Sequence, residues 1–251
     1  MLAGEFWDSP NVKESSLVCP EVFLHAERRM LSYWQPMKQS ELDKLLNKVA
    51  KDTAKKHKWK FSRGFVFKAT ERLFFSLIIT GPAKSGNLHT LFKYKLLDFD
   101  DLFWKILRLE ENAKQPLSFR ASGAWTAPMS IITSGNQQVE DWNQDALGLA
   151  IDIILNDCGQ VVERYVSEIR SVSENLKVIE RLYTERRERY PNGAFDIWTE
   201  TVLTAMLQND YRRAMAVIEE RQARKDWGGF MVGSVGFYDL AADYISALHS
   251  K

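Results

Sequence analysis

Cysteine is almost missing from this 251-residue chain; Cys19 and Cys158 are the only two. They form no CxxC pair and no Cys/His cluster, so neither a zinc site nor a disulfide framework is expected, and two reduced thiols are the better reading. Histidine is scarce too. His25, His57, His89 and His249 are scattered and none falls in an HxH or HExxH spacing, so no metal ligands are expected. No long apolar run exists. The longest, residues 73–80, is far short of the ~18 residues a membrane span needs, so no membrane association is expected. Charge of one sign is not in excess either: 34 Lys and Arg stand against 33 Asp and Glu, a net +1. That removes the simplest signature of a nucleic-acid binder, a strongly basic domain. The first ten residues carry Glu5 and Asp8 but no basic start and no apolar stretch, so no secretory signal is expected and the protein is placed in the cytoplasm.

Catalytic signatures are likewise absent. There is no GxSxG elbow. Gly81-Pro82-Ala83-Lys84-Ser85-Gly86 looks like a phosphate loop, but its Gly and Lys are in the wrong order and a strand pattern follows it. Backbone N–H groups and the lysine wrap a phosphate only in GxxxxGK[ST] between strand and helix. Asp141 and Asp145 are spaced as paired carboxylates would be, but they are expected on the polar side of an amphipathic helix, solvated. No catalytic residue, no cofactor and no metal is assigned, and the chain is not expected to be an enzyme.

What is present is an ordinary globular composition, 45% apolar and 27% charged. Residues 1–39 read as an arm packing on the body, 40–135 as an α+β antiparallel-sheet domain, and 136–251 as a helical domain packed against the sheet. Ser40 reads as the N-cap of a helix to about residue 57, with Leu42, Leu45, Leu46 and Val49 at helical spacing. Trp59, Phe61, Phe65 and Phe67 alternate with polar residues and predict one strand over 59–68, with Gly64 as a bulge. Residues 73–80 predict a buried strand and 88–97 a third, with Leu91, Lys93 and Lys95 on one face and Phe92, Tyr94 and Leu96 on the other. A helix is expected over 98–109. Strands over 117–121 and 124–132, joined by a turn at Ser122-Gly123, complete a sheet of about five strands. From residue 137 onward the periodicity is helical. Gly159 is expected to terminate one helix, and the glycines between 228 and 236 to form a flexible link. The fold class is α+β: an N-terminal helix plus an antiparallel sheet of about five strands, then an all-helical C-terminal half.

The neutral total conceals a segregation of charge. Residues 40–70 hold nine basic side chains against three acidic ones, and residues 139–185 hold ten acidic against four basic, so the segments carry +6 and −6. Glu140, Asp141, Asp145, Asp152, Glu163 and Glu168 are therefore candidate partner-binding residues on an acidic surface. Lys44, Lys48, Lys51 and Lys55, with Trp59 as a stacking group, form an alternative basic face. The chain also has eight tryptophans, most expected in the core; any left exposed would mark an interface.

The helix rich in Leu and Lys that ends in Lys-Trp-Lys-Phe-Ser-Arg-Gly-Phe-Val-Phe-Lys, residues 58–68, leads directly into the apolar strand at 73–80. This stretch, within residues 42–132, resembles the helix-then-meander start of small bacterial α+β domains found as immunity proteins beside polymorphic toxins. The resemblance covers about a third of the chain, contains no invariant catalytic motif, and leaves the helical half outside. It implies binding by surface complementarity, with a cognate toxin as the protein partner whose active site is occluded. A basic toxin such as a nuclease would suit the acidic segment. Two alternatives stand beside it: a nucleic-acid-associated protein using the Lys44–Lys68 face, and an enzyme whose site is assembled from distant residues.

Overall fold

The computed structural model describes residues 37–121, 125–193 and 196–249. The expected arm at 1–39 lies almost wholly outside these residues, as do Trp7, Cys19, His25, Trp34 and the turn at Ser122-Gly123.

The first helix among the described residues, α1 (Gln39–Lys56), begins one residue before Ser40, which lies inside its first turn. The helix start is held instead by Glu41, whose carboxylate accepts from the Lys38 backbone N–H at 3.4 Å. Leu42, Leu46, Val49, Ala50, Thr53 and Ala54 form its buried face. Residues 59–68 do not make one strand. They fold into a hairpin, β1 (Lys60–Ser62) and β2 (Phe65–Ala69), around Arg63 and Gly64, both at positive φ (49° and 83°). Two consecutive left-handed residues match the right-handed twist of the strands they join, so Gly64 marks the turn and not a bulge.

Strand β3 (Leu73–Thr80) then pairs with β2 and with β4 (Asn87–Leu96). After α2 (Leu97–Leu107), residues Leu117–Ala121 form a 3₁₀ turn where a strand was expected. The Phe119 N–H bonds back to the Pro116 carbonyl at 2.8 Å, a local bond that consumes the donor a ladder would need. The fifth strand, β5, runs later than expected, Ser130–Gln138, and pairs with β4 across a bulge at Phe92/Lys93. The sheet is an antiparallel meander in the order β1-β2-β3-β4-β5, with β5 at its edge.

Leu73, Phe75, Leu77 and Ile79 of β3 and Leu88, Phe92, Tyr94 and Leu96 of β4 point to one face, where they share a core with α1 and the C-terminal helices. On the opposite face Phe67 and Phe74 pack on Ala121 of the 3₁₀ turn. The helical half starts at Gln144, seven residues later than expected, because β5 occupies the intervening chain. Helix α3 (Gln144–Glu168) is capped by Asn143, whose side chain accepts from the N–H groups of Asp145 and Ala146. It runs straight through Gly159. A mid-helix glycine costs about 1 kcal/mol relative to alanine, less than the burial of Cys158, Val162 and Tyr165 around it returns.

Helices α4 (Val172–Arg189), α5 (Trp198–Leu207) and α6 (Tyr211–Ala223) follow. Residues 228–236 are not a simple flexible link: Met231–Val232 and Val235–Gly236 pair as a two-stranded hairpin, β6–β7, before α7 (Phe237–His249). Phe103 of α2 meets Phe230 edge to face and stacks on Phe237, tying this end of the chain to the first half. Met37–Lys251 form one compact unit, and α5, buried on every side from Thr199 to Met206, runs through it.

Candidate functional site

The acidic and basic segments meet along the seam between α1 and α3. Gly148 of α3 faces α1, where a Cβ would lie 4.0 Å from Val49, in ordinary contact. Lys48 Nζ donates to Gln144 Oε1 at 3.3 Å, and His57 Nε2 lies 2.8 Å from Asp152 Oδ1. Asp52, Lys56, Asp145, Leu149 and Asp152 line a shallow groove of about 440 Å³ over this seam.

Of the six acidic candidates, three are engaged within the molecule. Asp141 precedes α3 and accepts from Asn143 Nδ2, so it does not share a helical turn with Asp145 as the spacing suggested. Asp152 meets His57, and Glu168 is gripped by both guanidinium nitrogens of Arg181, at 2.6 and 3.1 Å. Those hydrogen bonds hold the Glu168 carboxyl below the usual carboxylate range. Glu140, Asp145 and Glu163 are exposed and form no ion pair among the described residues. Asp145, Leu149, Asp152, Asn156, Gln160 and Glu163 fall on one face of α3 at 3.6 residues per turn. On that face Leu149 is 66% exposed, with Ile153 beside it at 44%.

On the basic side, Lys44, Lys48, Lys51 and Lys55 are exposed on the outer face of α1. Trp59 is not a surface group. It is 4% exposed, packs against Phe92 at 6.0 Å and carries the Lys68 ammonium over its ring at 5.7 Å, so it offers no face to a base. Of the other tryptophans, Trp104 and Trp142 are buried, whereas Trp125 and Trp227 are exposed.

A second concavity was not foreseen from the sequence. Met129, Ser130 and Ile131 at the start of β5, Ile179, Leu182, Tyr183 and Arg186 of α4, and Asp196, Ile197 and Glu200 enclose about 290 Å³. Glu200 is 6% exposed, and burial, reinforced by Asp196, pushes its carboxyl up to about 7. Its signal in the sequence is plain in retrospect: it is the single charged residue in the otherwise apolar and threonine-rich α5. Among the described residues its charged lining is Asp196, Glu200 and Arg186.

One further buried cluster, at the β4–α2 corner, is self-satisfied. Asp100 accepts from Lys95 Nζ at 2.7 Å, the Ala127 N–H at 2.8 Å and Arg120 at 2.9 Å. Arg120 also reaches Asp101 and the Leu97 carbonyl, and lies 4.7 Å above the Trp104 ring. Burial outweighs the attraction of Asp100 and lowers Lys95 to about 8. These bonds fasten Arg120 and Ala127 to the corner between β4 and α2. Burial also raises the Cys158 thiol to about 12, which makes it inert as a nucleophile at neutral pH. Among the described residues no cluster of three His, Cys, Asp or Glu is placed to hold a metal, and no helix is long and apolar enough to cross a membrane.

Comparison with protein-family models, with curated proteins and with solved structures finds no match to this chain.

Proposed function

We propose that this protein acts by binding another protein without catalysis, and that the outer face of α3 is the docking surface for a partner with a basic rim. The supporting observation is Leu149, 66% exposed next to Ile153 on a helix face carrying Asp145, Asp152 and Glu163. Burying a leucine fully is worth about 1.5–3 kcal/mol. An exposed ion pair gives about 0–1 kcal/mol. On those magnitudes the aliphatic pair supplies the anchor, and the carboxylates steer and orient the partner. Occlusion of a basic toxin, the action implied by the resemblance to immunity proteins, is the specific form of this reading. The basic α1 face keeps its lysines, but without Trp59 it has no stacking group, so nucleic acid is not the reading adopted.

The test is co-expression with the product of the adjacent gene and size-exclusion chromatography of the mixture. A stable complex is expected at micromolar concentration. Leu149→Lys is expected to abolish it, and Asp145→Lys with Glu163→Lys to slow association. No complex with the wild-type chain, or a complex indifferent to Leu149→Lys, refutes the proposal.

A further inference from the structure

Ile179, Leu182, Tyr183 and Arg186 recur along one face of α4, and that face closes against the start of β5 and the first turn of α5. Three elements thus wall the cavity of about 290 Å³ that holds Glu200. A space of that size equals the liquid share of about ten water molecules and suits a ligand of roughly nine or ten non-hydrogen atoms. Most of the wall is aliphatic: Met129, Ile131, Ile179, Leu182 and Ile197. Its charged groups are of both signs, with Asp196 and Glu200 on the α5 side and Arg186 on the α4 side.

Glu200 sets this cavity apart from a packing defect. It is 6% exposed, and no side chain of another described residue hydrogen-bonds or ion-pairs with it. Buried polar groups are normally partnered. A buried carboxyl at the edge of a cavity directs its remaining hydrogen-bonding positions at whatever fills that space. Apolar walls with a few convergent polar groups are also the form that small-molecule sites take.

We propose that the cavity binds a small aliphatic zwitterion of the amino-acid type, its ammonium held by Glu200 and Asp196, its carboxylate by Arg186, and its hydrocarbon chain by Ile131, Ile179, Leu182 and Ile197. The mixed signs of the lining select this class. A simple amine would leave Arg186 facing a cation, and a simple fatty acid would set its carboxylate against two acids; a molecule with both charges opposes neither. A guanidinium carries five N–H donors, so Arg186 serves a ligand oxygen along with any acceptor of its own. The cavity shares no residue with α3, so this site and partner docking stand or fall separately.

An ammonium beside Glu200 favours its ionised form. The carboxyl titrates at about 7 in the free protein, so below that pH binding expels its proton to solvent and affinity falls. The other charged or titratable groups facing it are Asp196 ahead of α5, Tyr183 and Arg186 of α4, and Tyr94 of β4, none of them a histidine or cysteine.

The full chain is titrated calorimetrically with L-leucine and, in parallel, with glycine, isoamylamine and 4-methylpentanoate, which lack the side chain, the carboxylate and the ammonium in turn. Leucine is expected to bind at pH 8 with a Kd of ~0.1–1 mM. Glycine is expected to bind about ten- to a hundred-fold more weakly, and each singly charged analogue at least about five-fold more weakly. From pH 8 to pH 6 the affinity for leucine is expected to fall about ten-fold, with release of a proton on binding at pH 6. Glu200→Gln is expected to weaken leucine binding at pH 8 and to abolish that pH dependence. Arg186→Gln is expected to weaken leucine but not isoamylamine, a split that an unfolded variant cannot show. No binding of leucine at about 10 mM, binding of either singly charged analogue as tight as that of leucine, or an affinity that ignores pH between 6 and 8 overturns the proposal.

Discussion

Two regions of this molecule bury carboxylates, and they do so in opposite ways. Asp100 is fully enclosed and surrounded by donors: one ammonium, one guanidinium and one backbone N–H, all within 2.9 Å. Glu200 is almost as deeply buried, yet it borders a cavity, and burial, with Asp196 nearby, outweighs a backbone hydrogen bond and raises its carboxyl. A buried charge is tolerated when its partners are built in, and then it serves as a strut. A buried carboxylate whose charged form is disfavoured by burial and by a neighbouring acid keeps that cost in the folded protein whenever it ionises.

Asp100→Ala tests the strut most severely. It strands Lys95 and Arg120, and breaking a buried pair from one side costs about 3–5 kcal/mol, visible as a collapse of the denaturant midpoint. The loss is expected to be greater at pH 6 than at pH 9. A buried lysine whose pKa is depressed sheds its proton in the folded state first, so stability rises with pH above the folded pKa. Glu200→Gln probes the other side. The Glu200 carboxyl is raised from 4.5 to about 7, so the folded state holds its proton more tightly. The wild-type chain is fully stabilised below pH 4.5 and loses that stability as pH rises toward 7. The substitution is expected to stabilise the protein by about 2 kcal/mol at pH 8 and by almost nothing at pH 4. Paired urea titrations at the two pH values check it; a gain at both would mean that Glu200 is not titrating as its burial dictates. Arg120→Lys keeps the charge but loses the forked contact to Asp100 and Asp101 and the stacking on Trp104. It is expected to cost about 1–2 kcal/mol in the same assay. Gly159→Ala sets the scale for a change that touches neither carboxylate. A Cβ there meets nothing within 4 Å, and helix propensity predicts a gain of about 0.5–1 kcal/mol.

Much of the fold is legible in the residues themselves. The apolar alternation of β3 and β4, the amphipathic stripe of α1 and the helical second half follow from periodicity, because burial imposes the period on the sequence. The errors fall where long-range bonds overrule local pattern. SIITSGNQQ has only two large apolar residues, and it becomes a strand because β4 offers a ladder. Leu117–Ala121 has a strand-like composition, and it becomes a 3₁₀ turn because Pro116 starts a local bond and Asp100 draws in Arg120. Trp59 sits among lysines in the chain yet under Phe92 in space, so a stacking group inferred from its neighbours was the wrong side of the sheet. The acidic face of α3 was visible as composition. That Asp152 and Glu168 are already occupied by His57 and Arg181 was not, because those partners stand 95 and 13 positions away.

By itself the sequence determined the α+β class, the order of helix, meander and helices, and the separation of basic from acidic segments, since each depends on residue type repeated at short range. The tertiary structure decided which charges are spent inside the molecule, which strand forms the edge, and that Glu200 looks into a groove. These are relations between residues far apart in the chain, and only packing brings them within the few ångströms over which hydrogen bonds and desolvation act.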